Sequence, residues 1–145
     1  MSVKVLYRTH GVATGGRNGH TRSADGIVDV DLSIPKVMGG PGKPGATTPE
    51  DLFASGYAAC FCSAAEFVAR QMSLRPSSLE IQANVGIGPR DAGGFGLVAD
   101  LEARVGGLSQ ADAEKLISAA HQVCPYSNAT RGNLEVGLTV TVVQG

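Results

Sequence analysis

The chain has 145 residues, which suits a single domain large enough to fold without a metal or disulfide staple. Only 17% of the residues are charged, and 12 basic against 13 acidic residues leave a net charge of −1, which excludes phosphate-driven binding of nucleic acid. No run approaches the roughly 20 apolar residues of a membrane span, and the N-terminus lacks the apolar core of a signal peptide. The composition predicts a cytoplasmic protein that binds neither nucleic acid nor membranes.

The first third of the chain alternates between strand patterns and glycine-rich loops. Residues 3–9 and 27–34 alternate apolar and polar side chains and are predicted to be strands. The polar, glycine-rich residues 13–26 are predicted to form the hairpin connection between them. Residues 35–47 include the stretch GGPGKPG, which has no capacity for a helix or a strand, and are predicted to be a loop.

A long helix is predicted to begin at Pro49. Thr48 is a suitable N-cap, proline is favoured at the first helical position, and Glu50 and Asp51 suit the positive end of the helix dipole. Small and apolar side chains then cover nearly every face as far as Met72. A helix that is apolar all round is either buried or packed against a partner chain.

The residue pattern in the second half of the chain predicts two strands, a helix and a final strand. Residues 79–88 and 96–105 alternate as strands do, and the last strand lies in LEVGLTVTVV. Ser109 is the predicted cap of the second helix, with Asp112 at capping-box spacing, and this helix is predicted to end at Cys124. Two helices, the first long, central and buried, among about six mostly antiparallel strands give an α+β fold rather than a doubly wound one.

Three cysteines carry the candidate chemistry, because an odd number outside a disulfide framework indicates free thiols. Cys60 lies in the middle of the long helix, where a small buried hydrophobic residue is the ordinary role. Cys62 points roughly 200° around the helix from Cys60, so it is predicted to be a packing residue. Cys124 precedes Pro125 and a polar run, which makes simple core packing a poorer description of it.

The residue types present are also compatible with a cysteine–histidine pair or a zinc site. A thiolate could be activated by a histidine, which would pair Cys60 with His121 or His20. A zinc site would need four ligands, and the available set is Cys60, Cys62, Cys124 and His121. A CxC pattern on a helix, however, lacks the usual CxxC spacing of zinc sites.

Two stretches, PEDLFASGYAACF at residues 49–61 and VCPYSNATRGN at residues 123–133, strongly resemble the organic hydroperoxide resistance (Ohr) subfamily of the OsmC family. TGGRNG at residues 14–19 and MGGPG at residues 38–42 match as well, so the resemblance covers the whole chain. It implies an OsmC-like fold and an intertwined homodimer with two sites at the interface. It also implies a thiol-dependent peroxidase that reduces organic hydroperoxides to alcohols, without a cofactor or a metal.

The resemblance also implies roles for four residues. Cys60 matches the peroxidatic cysteine and Cys124 the resolving cysteine, whereas Arg17 and Glu50 match the residues that attend the thiolate. An arginine stays charged and favours the thiolate, and Glu50 can hold Arg17 by bidentate hydrogen bonds. Attack on the peroxide gives a Cys60 sulfenic acid, with which Cys124 condenses to a disulfide. The resemblance implies that a lipoyl group on a carrier protein reduces this disulfide.

Helix geometry adds a prediction about assembly. Glu50 and Cys60 are ten residues apart, about 15 Å along one helix axis, so either Gly56 breaks the helix or Glu50 serves the thiol of a second chain. The apolar surface of the helix favours the second chain.

The predicted substrate is a fatty or aromatic hydroperoxide rather than hydrogen peroxide, because the residues near Cys60 are apolar. The alternative to a peroxidase is a redox-sensing or binding module whose thiols react once. The aromatic residues that carry the substrate prediction are Phe53, Tyr57, Phe61 and Phe67.

Overall fold

A computed structural model describes residues 2–144 and divides the chain into two compact units. Unit 1 ends at Leu52 and unit 2 begins at Phe53, within the first helix. Unit 1 contains an antiparallel sheet in the order β1-β2-β3. Its strands are β1 (Gly11–Thr14), β2 (His20–Ser23) and β3 (Asp29–Asp31).

The turn between β1 and β2 needs glycine at defined positions. Gly15 and Gly16 have φ angles of 75° and 61°, a left-handed conformation that glycine adopts without strain. A Cβ atom at Gly19 would lie 1.8 Å from the carbonyl oxygen of Thr14, so only glycine fits there. The residues between them form a short 3-10 turn that carries Arg17.

Three predictions for unit 1 differ from the structure. Residues 3–9 form no strand in the described structure, and the side chains of Leu6 and Tyr7 are 90% and 79% exposed. An alternating pattern gives a strand only where a neighbour accepts its backbone hydrogen bonds, and the first such pairing joins His10 to Ala24. The strand predicted at residues 27–34 is shorter in the structure, where it is β3. The predicted connection at residues 13–26 contains β2.

Unit 2 contains a sheet in the order β4-β5-β6, with β4 and β5 antiparallel and β5 and β6 parallel. The described residues form six strands in which every pairing but one is antiparallel, and this confirms the predicted α+β class. The parallel pairing requires a crossover connection, and this connection supplies two helices, α2 (Gln110–Val123) and α3 (Pro125–Thr130). The strands of unit 2 are β4 (Ser78–Pro89), β5 (Phe95–Gly106) and β6 (Val136–Val143).

The helices differ from the prediction in number. The cap of α2 is confirmed, because the N–H of Asp112 donates to Ser109 Oγ at 3.1 Å. Cys124 then ends α2 and caps α3, which begins with Pro125 at its first position as prolines favour. The described residues therefore contain three α-helices rather than two.

The long helix α1 (Pro49–Gln71) buries one face rather than all of them. That face joins β5 and α2 in the core of unit 2, whereas Phe67 on another face is 46% exposed. In length and composition α1 could cross a membrane, but the core helix of a soluble fold meets the same criterion. The core members contributed by α1 are Tyr57, Phe61, Ala64, Ala65, Val68 and Ala69.

Candidate active site

The structure brings two of the sequence-predicted site residues together in unit 2. Cys60 lies in the middle of α1 and Cys124 at the junction of α2 and α3. Their Sγ atoms are 3.6 Å apart, and both thiols are free. This distance is a contact between two reduced sulfurs, because a disulfide would bring them to about 2.0 Å.

The two thiols differ in access. Cys60 is half-buried and lines an open, mostly apolar groove of about 400 Å³. Cys124 is wholly buried. A dissolved reagent therefore reaches Cys60 first. The groove is completed by Ser63, Ala64, Phe67, Val123 and Pro125.

The surroundings of Cys60 in unit 2 favour the neutral thiol. Burial raises the pKa of Cys60, and the nearby Cys124 thiol adds to this effect. The backbone N–H of Tyr126 acts in the opposite direction and lowers the pKa, because it stabilises the thiolate. A positive charge beside Cys60 would lower this pKa and favour the thiolate.

Gly56 accommodates an aromatic ring and does not break α1. A Cβ atom at this position would lie 3.3 Å from Tyr126 Oη, tighter than an ordinary contact. The Tyr126 ring also stacks on Phe53 at 6.4 Å between centroids and lies 5.8 Å from the ring of Tyr57. Of the two predicted alternatives for Glu50 and Cys60, a helix broken at Gly56 is therefore wrong.

The aromatic residues predicted near Cys60 have separate roles. Tyr57 and Phe61 are wholly buried in the core, and Phe53 packs against Tyr57 with ring centroids 5.8 Å apart. Phe67 is the one of the four that lines the groove at Cys60. The other apolar residues that line the groove are Ala64, Val123 and Pro125.

A partly buried chain of polar side chains, not predicted from the sequence, connects the three helices. The hydroxyl of Tyr57 lies 2.7 Å from Ser127 Oγ, which lies 2.8 Å from Nδ1 of His121. Tyr57 and Ser127 are both 0% exposed. The pKa of His121 is lowered by burial and by the charge of Arg131, which favours the neutral imidazole. The polar run after Cys124 did not reveal these contacts, because such a run is typical of a surface segment.

The other two predicted site residues, Arg17 and Glu50, pair within unit 1. Nη1 of Arg17 donates to Oε2 of Glu50 at 2.9 Å, and Nη2 forms an ion pair with Oε1 at 2.7 Å. The side chain of Glu50 is only 14% exposed. The hydrogen bond from Arg17 lowers the pKa of Glu50, and the same bond raises the pKa of Arg17. Arg17 borders an apolar groove that also contains Leu32 and Leu52.

The remaining candidate residues are engaged elsewhere. Both ring nitrogens of His20 contact carboxylates, Nδ1 with Asp31 at 2.8 Å and Nε2 with Asp29. These two bonds raise the pKa of His20, and they leave neither ring nitrogen available to a thiol. The Cys62 sulfur lies 3.9 Å from the carbonyl oxygen of Leu79. Within residues 2–144, no group of three or more His, Cys, Asp and Glu side chains could hold a metal ion.

The chain is similar in sequence to a known protein family and to one of its named members. The family model described as OsmC-like protein matches residues 40–139. The organic hydroperoxide resistance protein of Xanthomonas axonopodis pv. citri (strain 306) is 51% identical over 138 residues, covering 94% of this chain and 96% of that protein.

Solved structures give the same result. An organic hydroperoxide resistance protein OsmC from Legionella pneumophila has a TM-score of 0.91 and 47% identity, with coverage of 96% of this chain and 100% of that one. The organic hydroperoxide resistance protein OhrB of Bacillus subtilis has a TM-score of 0.86 and 39% identity, with coverage of 94% and 100%. The similarity therefore extends over the full length of the fold.

Proposed function

The chain belongs to the OsmC-like family, in its organic hydroperoxide resistance branch, and we propose that it is a thiol peroxidase that reduces organic hydroperoxides to alcohols. The names of its relatives support the substrate class. The observation that carries the proposal is the thiol pair: an accessible Cys60 sulfur lies 3.6 Å from the buried sulfur of Cys124. One thiol can meet a substrate while the other is protected from it.

The first step oxidises Cys60. The thiolate attacks the terminal oxygen of the hydroperoxide, an S–O bond forms and the O–O bond breaks. The alkoxide takes a proton and leaves as the alcohol, and Cys60 becomes a sulfenic acid. The apolar groove around Cys60 suits the carbon chain of a fatty or aromatic hydroperoxide.

The second step closes a disulfide. The Cys124 sulfur attacks the sulfenic sulfur of Cys60, the S–S bond forms, the S–O bond breaks and water leaves. Because Cys124 is wholly buried, the peroxide does not consume it first. A small dithiol then restores both thiols and becomes a disulfide itself. A lipoyl group on a carrier protein in the cytoplasm is the reductant that fits this step.

A positive charge would favour the Cys60 thiolate, and we assign this charge to Arg17 of a second chain. Glu50 and Cys60 are separated by ten residues of unbroken helix, about 15 Å along its axis. Arg17 is bound to Glu50, so the pair acts as one group. The exposed apolar side chains of residues 3–7 suit burial in a homodimer.

Thiol titration tests this function directly. The free protein has three thiols, and one equivalent of cumene hydroperoxide should leave one, that of Cys62. Cumene hydroperoxide should then be consumed continuously when dihydrolipoamide is present, and hydrogen peroxide at equal concentration should be consumed more slowly. A protein that keeps three thiols after treatment is not a peroxidase. One that reacts once and never turns over is a sensor.

A further inference from the structure

We propose that Tyr57, Ser127 and His121 form a positioning network that holds Cys124 in line with Cys60 for disulfide closure. This role rests on the proposed peroxidase function. None of the three side chains needs to touch the peroxide or the reacting sulfurs, because each acts through the helix that carries it. They are positioning residues rather than catalytic residues.

Each residue of the network is three positions from one of the two cysteines. Tyr57 precedes Cys60 by three residues in α1, His121 precedes Cys124 by three at the end of α2, and Ser127 follows Cys124 by three in α3. Tyr57 and Cys60, three residues apart within α1, lie on the same side of that helix. The bonds of 2.7 Å and 2.8 Å to Ser127 Oγ therefore connect the helix of Cys60 to both helices that meet at Cys124.

The short helix α3 depends on such external support. Its six residues are far fewer than an isolated helix needs to be stable. Ser127 is its wholly buried anchor, and Arg131 adds a second connection by donating from Nη2 to the carbonyl oxygen of His121 at 2.5 Å. Loss of the Ser127 contacts would loosen α3, which the stacking of Tyr126 on Phe53 still supports, and would let Cys124 shift relative to Cys60.

A small shift matters because displacement at sulfur requires an aligned approach. A misplacement of about 1 Å can slow a reaction by about a hundredfold. A sulfenic acid that waits longer for Cys124 meets a second hydroperoxide, which transfers another oxygen to the sulfur and leaves as the alcohol. The product, a sulfinic acid, is irreversibly inactive. The network thus decides between disulfide and over-oxidation.

The test separates closure from attack. Tyr57→Phe removes one hydroxyl and keeps the ring, and Ser127→Ala removes the central partner. Both are made with Cys62→Ala so that two thiols remain. Ser109→Ala is the matched control, because it removes the N-cap of α2 and lowers stability without touching the network.

We expect Tyr57→Phe to slow disulfide closure about tenfold, and Ser127→Ala to slow it further. The rate of the first attack should stay unchanged. Mass spectrometry after excess cumene hydroperoxide should show more sulfinic acid on Cys60 in both variants than in the Ser109→Ala control. His121→Ala should behave like Tyr57→Phe, whereas His121→Asn, whose amide can replace Nδ1, should restore closure.

A reaction without peroxide makes the result independent of the proposed function. The aromatic disulfide DTNB exchanges with Cys60 and releases one thionitrobenzoate, and Cys124 then displaces the second to form the disulfide. Slow second release in Tyr57→Phe supports the network even if the protein consumes no peroxide. Closure at the wild-type rate in Tyr57→Phe, or equally slow closure in Ser109→Ala, overturns it. Tyr57→Phe keeps the buried ring, so it carries the test if Ser127→Ala does not fold.

Discussion

The two units of this chain hold their functional residues in different ways. Unit 2 places both reactive thiols beside a core of buried side chains from α1, β5 and α2. Among the described residues of unit 1, only Leu32 and Ser33 are buried. Unit 1 instead holds Arg17 by a glycine-dependent turn and an ion pair with Glu50. The thiol geometry is therefore set within one unit, whereas the charged pair belongs to a unit that has little core of its own.

The sharpest test of this contrast is removal of each thiol in turn. Cys60→Ser should abolish peroxidase turnover, because no accessible sulfur remains at the groove. Cys124→Ser should still consume one equivalent of peroxide and then stall or over-oxidise. Steady-state consumption of cumene hydroperoxide with dihydrolipoamide gives the first result, and mass spectrometry the second. Full turnover by Cys60→Ser would contradict the assignment.

A matched pair of core substitutions compares the two units in stability. Leu116→Ala removes a wholly buried side chain from the core of unit 2 and should cost about 4 kcal/mol, within the range for such changes. Leu32→Ala should cost about 2 kcal/mol, because Leu32 already lines an open groove. Urea unfolding at one protein concentration measures both. Equal costs would show that unit 1 is as tightly packed as unit 2.

Removal of the Arg17 charge in unit 1 should change the reactivity of the Cys60 thiol in unit 2. Arg17→Ala should raise the pKa of Cys60, because the compensating charge is lost, and should slow the attack at pH 7 at least about tenfold. The pH dependence of thiol alkylation measures this pKa. Arg17→Lys keeps the charge and should recover part of the rate, which separates charge from folding.

Subunit exchange tests the assignment to a second chain. In a mixture of Cys60→Ser and Arg17→Ala proteins, a mixed dimer combines the intact Arg17 of one chain with the intact Cys60 of the other. Its activity should exceed that of either parent if the pair acts between chains. Activity no higher than the parents' average would place Arg17 and Cys60 in the same chain.

The ion pair should also give unit 1 a specific acid sensitivity. Because Arg17 lowers the pKa of Glu50, the stability from this pair is full above the ordinary carboxyl value of about 4.3. It is lost as the pH falls through the lowered pKa. The difference in unfolding free energy between wild type and Glu50→Gln should therefore vanish in strong acid. The exposed Glu114→Gln is the control, and a difference that is constant with pH would contradict the prediction.

The smallest effect is expected at Cys62. Its sulfur is directed toward the carbonyl oxygen of Leu79, about 200° around α1 from Cys60. Cys62→Ala should leave turnover within about twofold of wild type. A loss of more than about tenfold in a folded protein, equivalent to about 1.4 kcal/mol, would show that this thiol takes part in the reaction.

Local signals account for what the sequence predicted correctly. Helices α1 and α2 and strands β4 and β5 lie close to their predicted bounds. Each was predicted from a signal that acts within a few residues: Pro49 for α1, the cap at Ser109 for α2, and the alternation of side chains for the two strands. Helix α3 was missed because its support comes from Tyr57, 70 residues from Ser127. The strand at residues 3–9 was wrong because alternation cannot reveal whether a neighbouring strand exists.

The residues of the candidate site were also predictable only in part. The motifs around Cys60 and Cys124 could be recognised because they are contiguous in sequence. The buried chain through Ser127 and His121 could not, since a serine in a polar run and a histidine near a helix end look like ordinary surface residues. The burial of Ser127 and its contact with His121 appear only when three helices meet.

The sequence distance between the two thiols has a consequence for the lifetime of the protein. Cys60 and Cys124 are 64 positions apart, so a disulfide between them would restrict the unfolded chain and favour the folded form by about 4 kcal/mol in a chain-entropy treatment. The oxidised protein would then melt roughly 10 °C above the reduced one. A molecule waiting for its reductant would resist heat and proteases better than a molecule ready for substrate. Scarcity of reductant would thus preserve the protein rather than expose it to degradation.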